Sequence, residues 1–300
     1  MSTGRRVGVI GCGNIGGAIA TNLVQDGHHV SVHDASADRL RPLVGLGARA
    51  ADTPAKVAER SEITFTSLPT PAVVDQVAAR WLEGAHPGSV LVDLSTNAPA
   101  TVRALGDRLA AAGCHLLEAP LTGGAPGAQA RMLVFMVGGD AAVYDQVEPV
   151  LKPLGRAVFH VGGLGLGNTA KLVNSLVAFT ATCASLEVLA VAVKAGIDLR
   201  TMIEVIRTGG AGNFFTDRMV EGINERGRPP MFALSLAAKD AGLLCDVARE
   251  QGVPVPVSAQ VAQALVAALG AGLGDHDFTD IVELVERQAN VKLRLGPPRA

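Results

Sequence analysis

Lys171 and Asn174 are the residues of this chain best suited to acid/base chemistry. They lie three positions apart near the start of an apolar stretch with a helical pattern, so they share one face of the predicted helix. Burial disfavours the charged form of a lysine and lowers its pKa toward the range in which it can take and return a proton. The pair therefore indicates a proton-transfer site, and a surface lysine at a helix start is the alternative.

The segment Thr122, Gly123 and Gly124 is typical of an anion-binding loop. It follows a predicted strand, His115–Ala119, and Pro120. Successive glycine N–H groups can form a concave anion site, and the Thr122 hydroxyl can add a donor. We expect this loop to bind a substrate carboxylate, with an ordinary surface loop as the alternative.

The stretch from Gly11 to Gly16 reads GCGNIG and lies between an apolar run of strand type and a helical pattern of small residues. Strand, GxGxxG and helix in this order are typical of a dinucleotide site. In such a site Gly11 makes the turn, Gly13 admits the pyrophosphate and Gly16 lets helix and strand pack closely. The N–H groups at the start of the helix, at Asn14 and Ile15, would then bind the phosphates.

Asp34 directly follows the next predicted strand, His29–His33, and lies 18 residues after Gly16. In dinucleotide-binding folds an acid about 20 residues beyond the glycines accepts the ribose hydroxyls. A carboxylate there would also repel a 2′-phosphate, so it favours NAD over NADP. The alternative is an acid that only caps the helix starting near Ser36, and nearby Arg39 leaves NADP possible.

The composition limits the class of protein. A net charge of −2 gives no basic surface for nucleic acid or for an acidic membrane. The four cysteines are scattered without a CxxC pair, which predicts free thiols, no metal site and a cytoplasmic location. The pair Arg5-Arg6 leads directly into a predicted strand, so we expect no secretion signal there.

Strand patterns alternate with helical patterns in the first half of the chain. This alternation predicts an α/β fold with a Rossmann-type, doubly wound parallel sheet. The predicted strands are Arg6–Ile10, His29–His33, Ile63–Ser67, Val90–Leu94, His115–Ala119, Val134–Val137 and Val158–Val161. The predicted helices between them include Val73–Leu82, Ala100–Ala112 and Ala142–Leu151.

Strand patterns stop after Gly162. Residues 168–195 predict one long helix, apolar on nearly every face, that we expect protein to surround on all sides. A membrane-spanning helix is the alternative, and the charged residues of the segment argue against it. Further helices are predicted at Arg200–Arg207, Phe215–Asn224, Leu234–Gln251, Val257–Leu269 and Phe278–Asn290. We therefore expect a dinucleotide-binding domain over residues 1–163 and an all-helical substrate and oligomerisation domain over residues 164–300.

Five motifs, in their usual order, resemble the β-hydroxyacid dehydrogenase family, to which 3-hydroxyisobutyrate dehydrogenase belongs. The resemblance covers nearly the whole chain. The motifs are the glycine fingerprint Gly11–Gly16, the DxSTxxP pattern Asp93–Pro99, the pattern Ala119–Ala128 around Thr122, the GxGxxxKxxNN pattern Gly165–Ser175 and the pair Lys239-Asp240.

This resemblance implies a role for each candidate residue. Lys171 would be the catalytic acid/base and Asn174 would orient the substrate. The residues expected at the cofactor are Gly11, Gly13, Asn14, Ile15, Gly16, Asp34, Leu68, Pro69, Thr96 and Lys239. The residues expected at the substrate are Thr122, Gly123, Gly124, Lys171 and Asn174.

Three residues depart from the family pattern. Thr122 stands where serine is usual, Ser175 where a second asparagine is usual, and Arg131 where glycine is common. Arg131 would add a cation near the anion-binding loop. The departures bear on the identity of the substrate more than on the class of reaction.

The sequence thus predicts an NAD-dependent oxidoreductase, with NADP possible, that transfers hydride between nicotinamide and a small 3-hydroxy acid such as 3-hydroxyisobutyrate. The alternatives are an NADP-dependent reductase of tartronate or succinic semialdehyde, an imine reductase and, in a different class, a non-enzymatic NAD(H)-sensing protein. Imine reductases often lack the lysine. The apolar helical domain predicts a homodimer or homotetramer, and we expect no nucleic acid or membrane partner.

Overall fold

The computed structural model describes residues 4–296, and the chain forms two compact units, Met1–Lys171 and Leu172–Ala300. The division falls inside the long helix. The domain boundary from the sequence, between residues 163 and 164, lies in the glycine-rich stretch before that helix and stays a prediction. Each unit has an apolar core of its own.

The first unit contains a nine-stranded, mostly parallel sheet. Its strands are β1 (Arg6–Ile10), β2 (His29–His33), β3 (Arg49–Ala50), β4 (Ile63–Thr66), β5 (Val90–Asp93), β6 (His115–Glu118), β7 (Leu121–Thr122), β8 (Leu133–Gly139) and β9 (Gly155–Gly162). They lie in the order β3-β2-β1-β4-β5-β6-β8-β7, with β9 beside β8. The first six places follow the order of a doubly wound dinucleotide-binding sheet, so the predicted fold class is confirmed.

Strands β1 to β6 run parallel to one another, and β8 runs antiparallel to β6. Parallel strands end at one edge of a sheet, and ligands of open α/β sheets bind at this carboxyl edge. The segments that follow β1, β2, β4, β5 and β6 therefore meet there. These are the segments that carry most of the predicted site residues.

Helices cover both faces of this sheet. Alternate residues of a strand point to opposite faces, and accordingly Val7 and Val9 pack in one apolar cluster while Ile10 packs in another. The helices are α1 (Asn14–Gln25), α2 (Ala37–Gly45), α3 (Pro54–Ala58), α4 (Pro71–Leu82), α5 (Pro99–Ala111), α6 (Gly124–Gln129) and α7 (Ala141–Leu151). Helix α4 shows why they begin where they do, because Thr70 caps it and Pro71 suits its first turn.

The second unit is helical in its described residues, apart from an isolated bridge between Ala233 and Asp277. Its helices are α8 (Leu166–Lys194), which begins in the first unit, α9 (Leu199–Thr208), α10 (Leu234–Glu250), α11 (Pro256–Gly270) and α12 (Val282–Ala289). Two predicted helices are less regular than expected. Residues 215–224 form a π-helical turn and then a 3₁₀ turn, and the last helix opens with the 3₁₀ turn Phe278–Ile281.

Protein does not surround α8 on all sides, so that expectation is wrong for the single chain. Leu186 on one face is fully buried, whereas Val177 and Val191 are 67% and 70% exposed. The helix is long and apolar enough to cross a membrane, but half of its most apolar stretch is buried in the protein. Its outer face carries an apolar stripe, defined here as Val173, Val177, Val188 and Val191.

All seven strands predicted from the sequence are present, with small differences at their ends. The two strands that sequence reasoning missed, β3 and β7, have two residues each. A strand of that length is too short to show an alternation of apolar and polar residues. It forms because the neighbouring strand offers it hydrogen bonds.

Candidate active site

The glycines of the GCGNIG loop are needed for different steric reasons. Gly11 has φ +88°, a conformation that favours glycine, and a Cβ there would overlap the Ser67 carbonyl oxygen. A Cβ on Gly16 would overlap the Gly11 carbonyl oxygen. At Gly13, by contrast, only the Arg39 guanidinium among the described residues would come within 4 Å, at 3.9 Å. Gly11 and Gly16 thus serve the packing of the loop, and Gly13 keeps the space in front of it open.

The first turn of α1 offers N–H groups to an anion. The helix begins at Asn14 with Gly13 as its N-cap, and no side chain caps it. The first N–H groups of a helix have no partner within the helix and carry the positive end of its dipole. The open space at Gly13, with the N–H groups of Asn14 and Ile15 behind it, fits the pyrophosphate of a dinucleotide.

Asp34 follows the end of β2 beside the glycine loop, with its side chain only 5% exposed. Its Oδ2 accepts a hydrogen bond from the Cys12 N–H at 2.7 Å, and its Oδ1 accepts one from the Ser36 N–H at 2.8 Å. Ser36 is itself the N-cap of α2, so Asp34 precedes the cap and does not form it. A carboxylate can accept about four hydrogen bonds, which leaves acceptor positions for ribose hydroxyls.

Arg39, in the first turn of α2, adds a cation at the same place. Its Nη1 lies 3.5 Å from Asp34 Oδ2, and its side chain is 59% exposed. An exposed ion pair contributes only about 0–1 kcal/mol, so the guanidinium can leave Asp34 at little cost. The surroundings of the glycine loop thus contain a carboxylate that suits NAD and a cation that can pair with a 2′-phosphate.

The loops after β4 and β5 are joined to each other. The Leu68 N–H donates a hydrogen bond to Ser95 Oγ at 3.1 Å. Leu68 and Thr96 are half-buried, and Pro69 is exposed. Because β4 lies next to β1 in the sheet, these loops reach the edge at which the glycine loop lies.

The loop of Thr122, Gly123 and Gly124 connects β7 to α6. Gly123 and Gly124 have φ angles of +123° and +63°, and no side chain caps the start of α6. Such a backbone can place consecutive N–H groups within reach of one anion. The Asn22 side-chain amide of α1 donates to the Ala128 carbonyl oxygen at 2.9 Å in a buried hydrogen bond. Helix α6, which follows this loop, is therefore fixed to α1, the helix that follows the glycine loop.

Arg131 does not add a free cation to this loop, contrary to the expectation from the sequence. Its guanidinium lies 2.8 Å from the Asp26 carboxylate and donates to the Asn22 carbonyl oxygen at 3.2 Å. Its φ of +58° is a conformation that favours glycine, which accounts for glycine as the usual residue at this position. The side chain stabilises the C-terminal end of α1.

Lys171 is half-buried near the start of α8, and both glycines of the preceding GxG are sterically required. Gly165 has φ +95°, and a Cβ there would lie 2.5 Å from Arg103 Nη1. A Cβ on Gly167 would lie 2.6 Å from the Met136 carbonyl oxygen. The start of the helix that carries Lys171 is therefore closely packed at these two positions, and neither has room for a side chain.

Glu118, a residue that sequence reasoning missed, holds this helix start. Its side chain is fully buried at the end of β6. Oε1 accepts hydrogen bonds from the Gly165 and Gly167 N–H groups at 2.5 and 2.9 Å. Oε2 accepts one from the Asn168 N–H at 3.0 Å and a further one from the Asn168 Nδ2 group. An acid in the otherwise apolar run Leu116-Leu117-Glu118 was the signal that could have found it.

Glu118 belongs to a buried polar network along the ends of β4, β5 and β6. Asn168 Oδ1 accepts from the Asn97 N–H at 2.7 Å, and Asn97 Nδ2 donates to Asp93 Oδ2 at 2.7 Å. The Thr66 hydroxyl donates to Asp93 Oδ1 at 2.8 Å. Burial raises the pKa of Asp93 to about 6 and also raises the pKa of Glu118, although hydrogen bonds to both acids oppose this effect. The network fixes three strand ends and the start of α8 to one another.

Asn174 and Lys239 belong to the second unit. Asn174 is exposed on α8, one turn after Lys171 on the same face of the helix. Lys239 lies on α10, and its Nζ is 3.1 Å from a carboxylate oxygen of the buried Asp240. The other predicted site residues lie in the first unit, and those from its loops share the carboxyl edge of the sheet. Open α/β sheets bind their ligands at this edge, and the role of Lys171 and Asn174 in proton transfer stays a prediction.

Two family descriptions match successive parts of the chain. Residues 6–162 match the NAD binding domain of 6-phosphogluconate dehydrogenase, and residues 165–285 match the family described as NAD-binding of NADP-dependent 3-hydroxyisobutyrate dehydrogenase.

Individual proteins are similar over nearly the whole length. The chain is 32% identical to 2-(hydroxymethyl)glutarate dehydrogenase of Eubacterium barkeri, with 99% of this chain and 100% of that protein covered. It is 32% identical to 3-hydroxyisobutyrate dehydrogenase of Pseudomonas aeruginosa, with 93% and 97% covered. The solved structure of Mycobacterium tuberculosis 3-hydroxyisobutyrate dehydrogenase with L-serine matches with a TM-score of 0.84 and 27% identity, over 94% of this chain and 99% of that one.

Proposed function

The chain belongs to the β-hydroxyacid dehydrogenase family of NAD(P)-dependent oxidoreductases that act on hydroxy acids, and on this basis we propose its substrate core, its preferred coenzyme and the residue that moves the proton. In the proposed reaction a 3-hydroxy acid is oxidised to the semialdehyde, or the semialdehyde is reduced. When bound, the nicotinamide coenzyme accepts or gives the hydride. Binding, orientation and proton transfer are left to the residues of the chain.

The proposed substrate core is 3-hydroxypropanoate with a variable group on C2. Three compounds named with similar proteins share this core: 3-hydroxyisobutyrate has a methyl group on C2, 2-(hydroxymethyl)glutarate a carboxyethyl group and L-serine an ammonium group. What they have in common is a carboxylate and a primary hydroxyl on the β carbon. The N–H groups of Gly123 and Gly124, with the Thr122 hydroxyl, suit the carboxylate.

Lys171 is the proposed acid/base. In oxidation the neutral amine takes the hydroxyl proton, and in reduction the ammonium returns it. Asn174, one turn further along the same face, would orient the substrate hydroxyl. The observation that carries the proposal is the anchoring of Gly165–Asn168 by the buried Glu118, one turn before Lys171, because proton transfer requires a fixed distance between lysine and substrate.

The proposed coenzyme is NAD, with NADP also accepted. Asp34 keeps acceptor positions for ribose hydroxyls after its bonds to Cys12 and Ser36, and its charge disfavours a 2′-phosphate. Arg39 is exposed enough to offset part of that repulsion. The further coenzyme contacts in this proposal are Leu68, Pro69, Thr96 and Lys239.

The direct test follows nicotinamide absorbance with purified enzyme. Oxidation is assayed with 3-hydroxyisobutyrate, L-serine and 2-(hydroxymethyl)glutarate, each with NAD and with NADP, and lactate is the 2-hydroxy acid control. Reduction is assayed with tartronate and succinic semialdehydes. Turnover of a 3-hydroxy acid with NAD supports the proposal. Binding of NAD(H) without turnover of any compound would instead favour the sensing protein.

We also propose that the chain is a homodimer or homotetramer in which the apolar stripe of α8 is covered by a second copy. The support is the exposure of four valines on one helical face, since exposed apolar patches usually mark interfaces. Light scattering after gel filtration should show a smaller species for Val191→Lys. Val205→Lys on α9, where the valine is 54% exposed, is the matched control. A cytoplasmic location is part of the proposal and rests on four free cysteines.

A further inference from the structure

Helix α8 begins directly after a glycine, a residue that cannot cap a helix with its side chain. The first N–H groups of a helix lack partners within it, and the side chain of the preceding residue commonly accepts one of them. In α8 the preceding residue is Gly165, which has no side chain. Glu118, at the end of β6, acts as the cap instead, because it accepts hydrogen bonds from the N–H groups of Gly167 and Asn168.

The space for Glu118 is bounded by two glycines. A Cβ on Gly138 of β8 would overlap Glu118 Oε1 and would lie 2.9 Å from the Gly167 nitrogen. A Cβ on Gly167 would lie 3.0 Å from Glu118 Cγ. Both glycines therefore allow the strand end and the helix start to approach, and the carboxylate fills the gap between them.

The hydrogen-bond partners indicate that Glu118 is ionised. The four groups that bind it are all N–H donors, two on each oxygen. A protonated acid would turn an O–H toward one of these donors and lose a hydrogen bond. Burial raises the pKa of Glu118, and the donors of Asn168, Gly167 and Gly165 oppose this by favouring the anion.

We propose that Glu118 is the positioning residue for Lys171: its buried anion caps the start of α8, fixes the turn that precedes the lysine and supplies a negative charge that favours the ammonium form of Lys171. The inference rests on the proposed role of Lys171. Lys171 is three residues beyond Asn168, about 5 Å along the axis at ~1.5 Å per residue. The N-terminus of a helix carries about +0.5 charge, an effect that falls off within the first turn, and the Glu118 anion is bonded to N–H groups of that turn.

Two variants separate charge from shape. Glu118→Gln keeps the size of the side chain but removes the charge and turns an amide donor toward N–H groups. Glu118→Asp keeps the charge and shortens the side chain by one carbon. With the anion gone, the ammonium form of Lys171 loses a nearby opposite charge, so the titration midpoint of Lys171 should fall by about 0.5 to 1 pH unit in Glu118→Gln. In Glu118→Asp the midpoint should stay near that of the wild type.

The midpoint is measured without turnover. Reductive methylation with ¹³C-formaldehyde labels the lysines, and Lys171→Ala assigns the Lys171 signal in the NMR titration. The pH profile of kcat for oxidation is then recorded for each variant. We expect its rising limb to move to lower pH in Glu118→Gln, kcat on the plateau to fall at least tenfold, and KM for NAD to stay within twofold.

The results distinguish three cases. An equal Lys171 midpoint in wild type and Glu118→Gln overturns the inference, even if kcat falls, because a purely structural acid would lower activity without moving the midpoint. A midpoint shift that also occurs in Glu118→Asp overturns it as well, since that variant keeps the charge. Full turnover in Lys171→Ala would overturn the proposed function, while the NMR comparison would still decide the relation between Glu118 and Lys171.

Discussion

Asp34 and Cys12 are joined by a hydrogen bond of 2.7 Å from the Cys12 backbone N–H to Asp34 Oδ2. The acid proposed to bind the ribose therefore also holds the loop proposed to bind the phosphates. A change at Asp34 should consequently alter both the choice of coenzyme and the rigidity of the glycine loop.

Asp34→Asn should weaken the binding of NAD. It should also reduce the difference in KM between NAD and NADP. Hydrogen bonds to charged groups contribute about 1.5–3 kcal/mol, so KM for NAD should rise roughly 10- to 100-fold. Steady-state kinetics with both coenzymes measure the effect. Asp38→Asn, at an exposed acid paired with Arg41, is the control and should behave as wild type. A wild-type enzyme that strongly preferred NADP would contradict this account of Asp34.

Gly13→Ala and Gly16→Ala should separate coenzyme binding from folding. A Cβ at Gly13 meets open space, whereas one at Gly16 overlaps the Gly11 carbonyl oxygen. Gly13→Ala should keep the wild-type melting temperature and bind NADH at least tenfold more weakly. Gly16→Ala should lose coenzyme binding and also about 1–3 kcal/mol of stability through overpacking. Calorimetry and NADH fluorescence give the two readouts, and equal stability of the two variants would argue against the roles assigned to these glycines.

Lys171→Ala should lower kcat by about 100- to 10,000-fold, the usual contribution of a positioned acid or base. Coenzyme affinity should change little, because the coenzyme contacts proposed for the first unit come from other segments. Lys194→Ala, at the far end of the same helix, removes an exposed lysine bonded to the Ala289 carbonyl oxygen and serves as the control. Near-normal turnover in Lys171→Ala would disprove the mechanism.

Arg131→Ala should reduce stability without changing substrate recognition. The variant loses the ion pair with Asp26 and the bond to the Asn22 carbonyl oxygen, and alanine still has to adopt a positive φ. We expect a loss of about 1–2 kcal/mol and an unchanged KM for the hydroxy acid. Chemical denaturation and kinetics measure the two quantities, and a KM raised tenfold would mean that Arg131 binds substrate after all.

Glu286 should make the second unit sensitive to acid. Burial alone would raise the pKa of Glu286. Hydrogen bonds from Arg226, the Leu293 N–H and Lys292 outweigh this effect and lower the pKa to about 2. Because the folded-state pKa lies below the ordinary value of 4.5, this stabilisation is complete above pH 4.5 and is lost as pH falls toward 2. It amounts to about 3 kcal/mol at ~1.4 kcal/mol per pKa unit.

Urea unfolding of wild type and Glu286→Gln tests this directly. The difference in the free energy of unfolding should be largest at pH 7 and should shrink as pH falls below 4.5. Glu283→Gln, at a partly exposed acid paired with Arg287, is the control. A difference that stays constant from pH 7 to pH 3 would show that charge on Glu286 is not the source.

Much of the first unit was predictable because its features are local. The strand β1, the glycine loop and the start of α1 follow one another directly, and the types of residue there are dictated by steric limits that glycine alone meets. The spacing of Asp34 is equally regular, because β2 is the neighbour of β1 in the sheet.

What escaped prediction depends on contacts between distant parts of the chain. Glu118 reaches its hydrogen-bond donors only when β6 and α8 pack together. Neither segment has a sequence pattern that predicts its contact with the other. The direction of the Arg131 side chain depends on Asp26, more than 100 residues earlier. The exposed face of α8 could not be predicted for another reason. When a helix is apolar on every face, its sequence does not show which face the rest of the chain covers.

We expect the hydrogen bonds between Glu118 and the start of α8 to affect the order in which the chain folds during its synthesis. The acid leaves the ribosome 47 to 50 residues before the N–H groups that bind it. Until those groups arrive, closing β6 into the sheet would bury a charge without partners, at a cost of several kcal/mol. The nascent sheet should therefore stay open at β6 until the first turn of α8 emerges. A fragment cut at residue 163 would contain all nine strands but none of the four donors to Glu118, and we expect it to be less stable than the same strands in the whole chain.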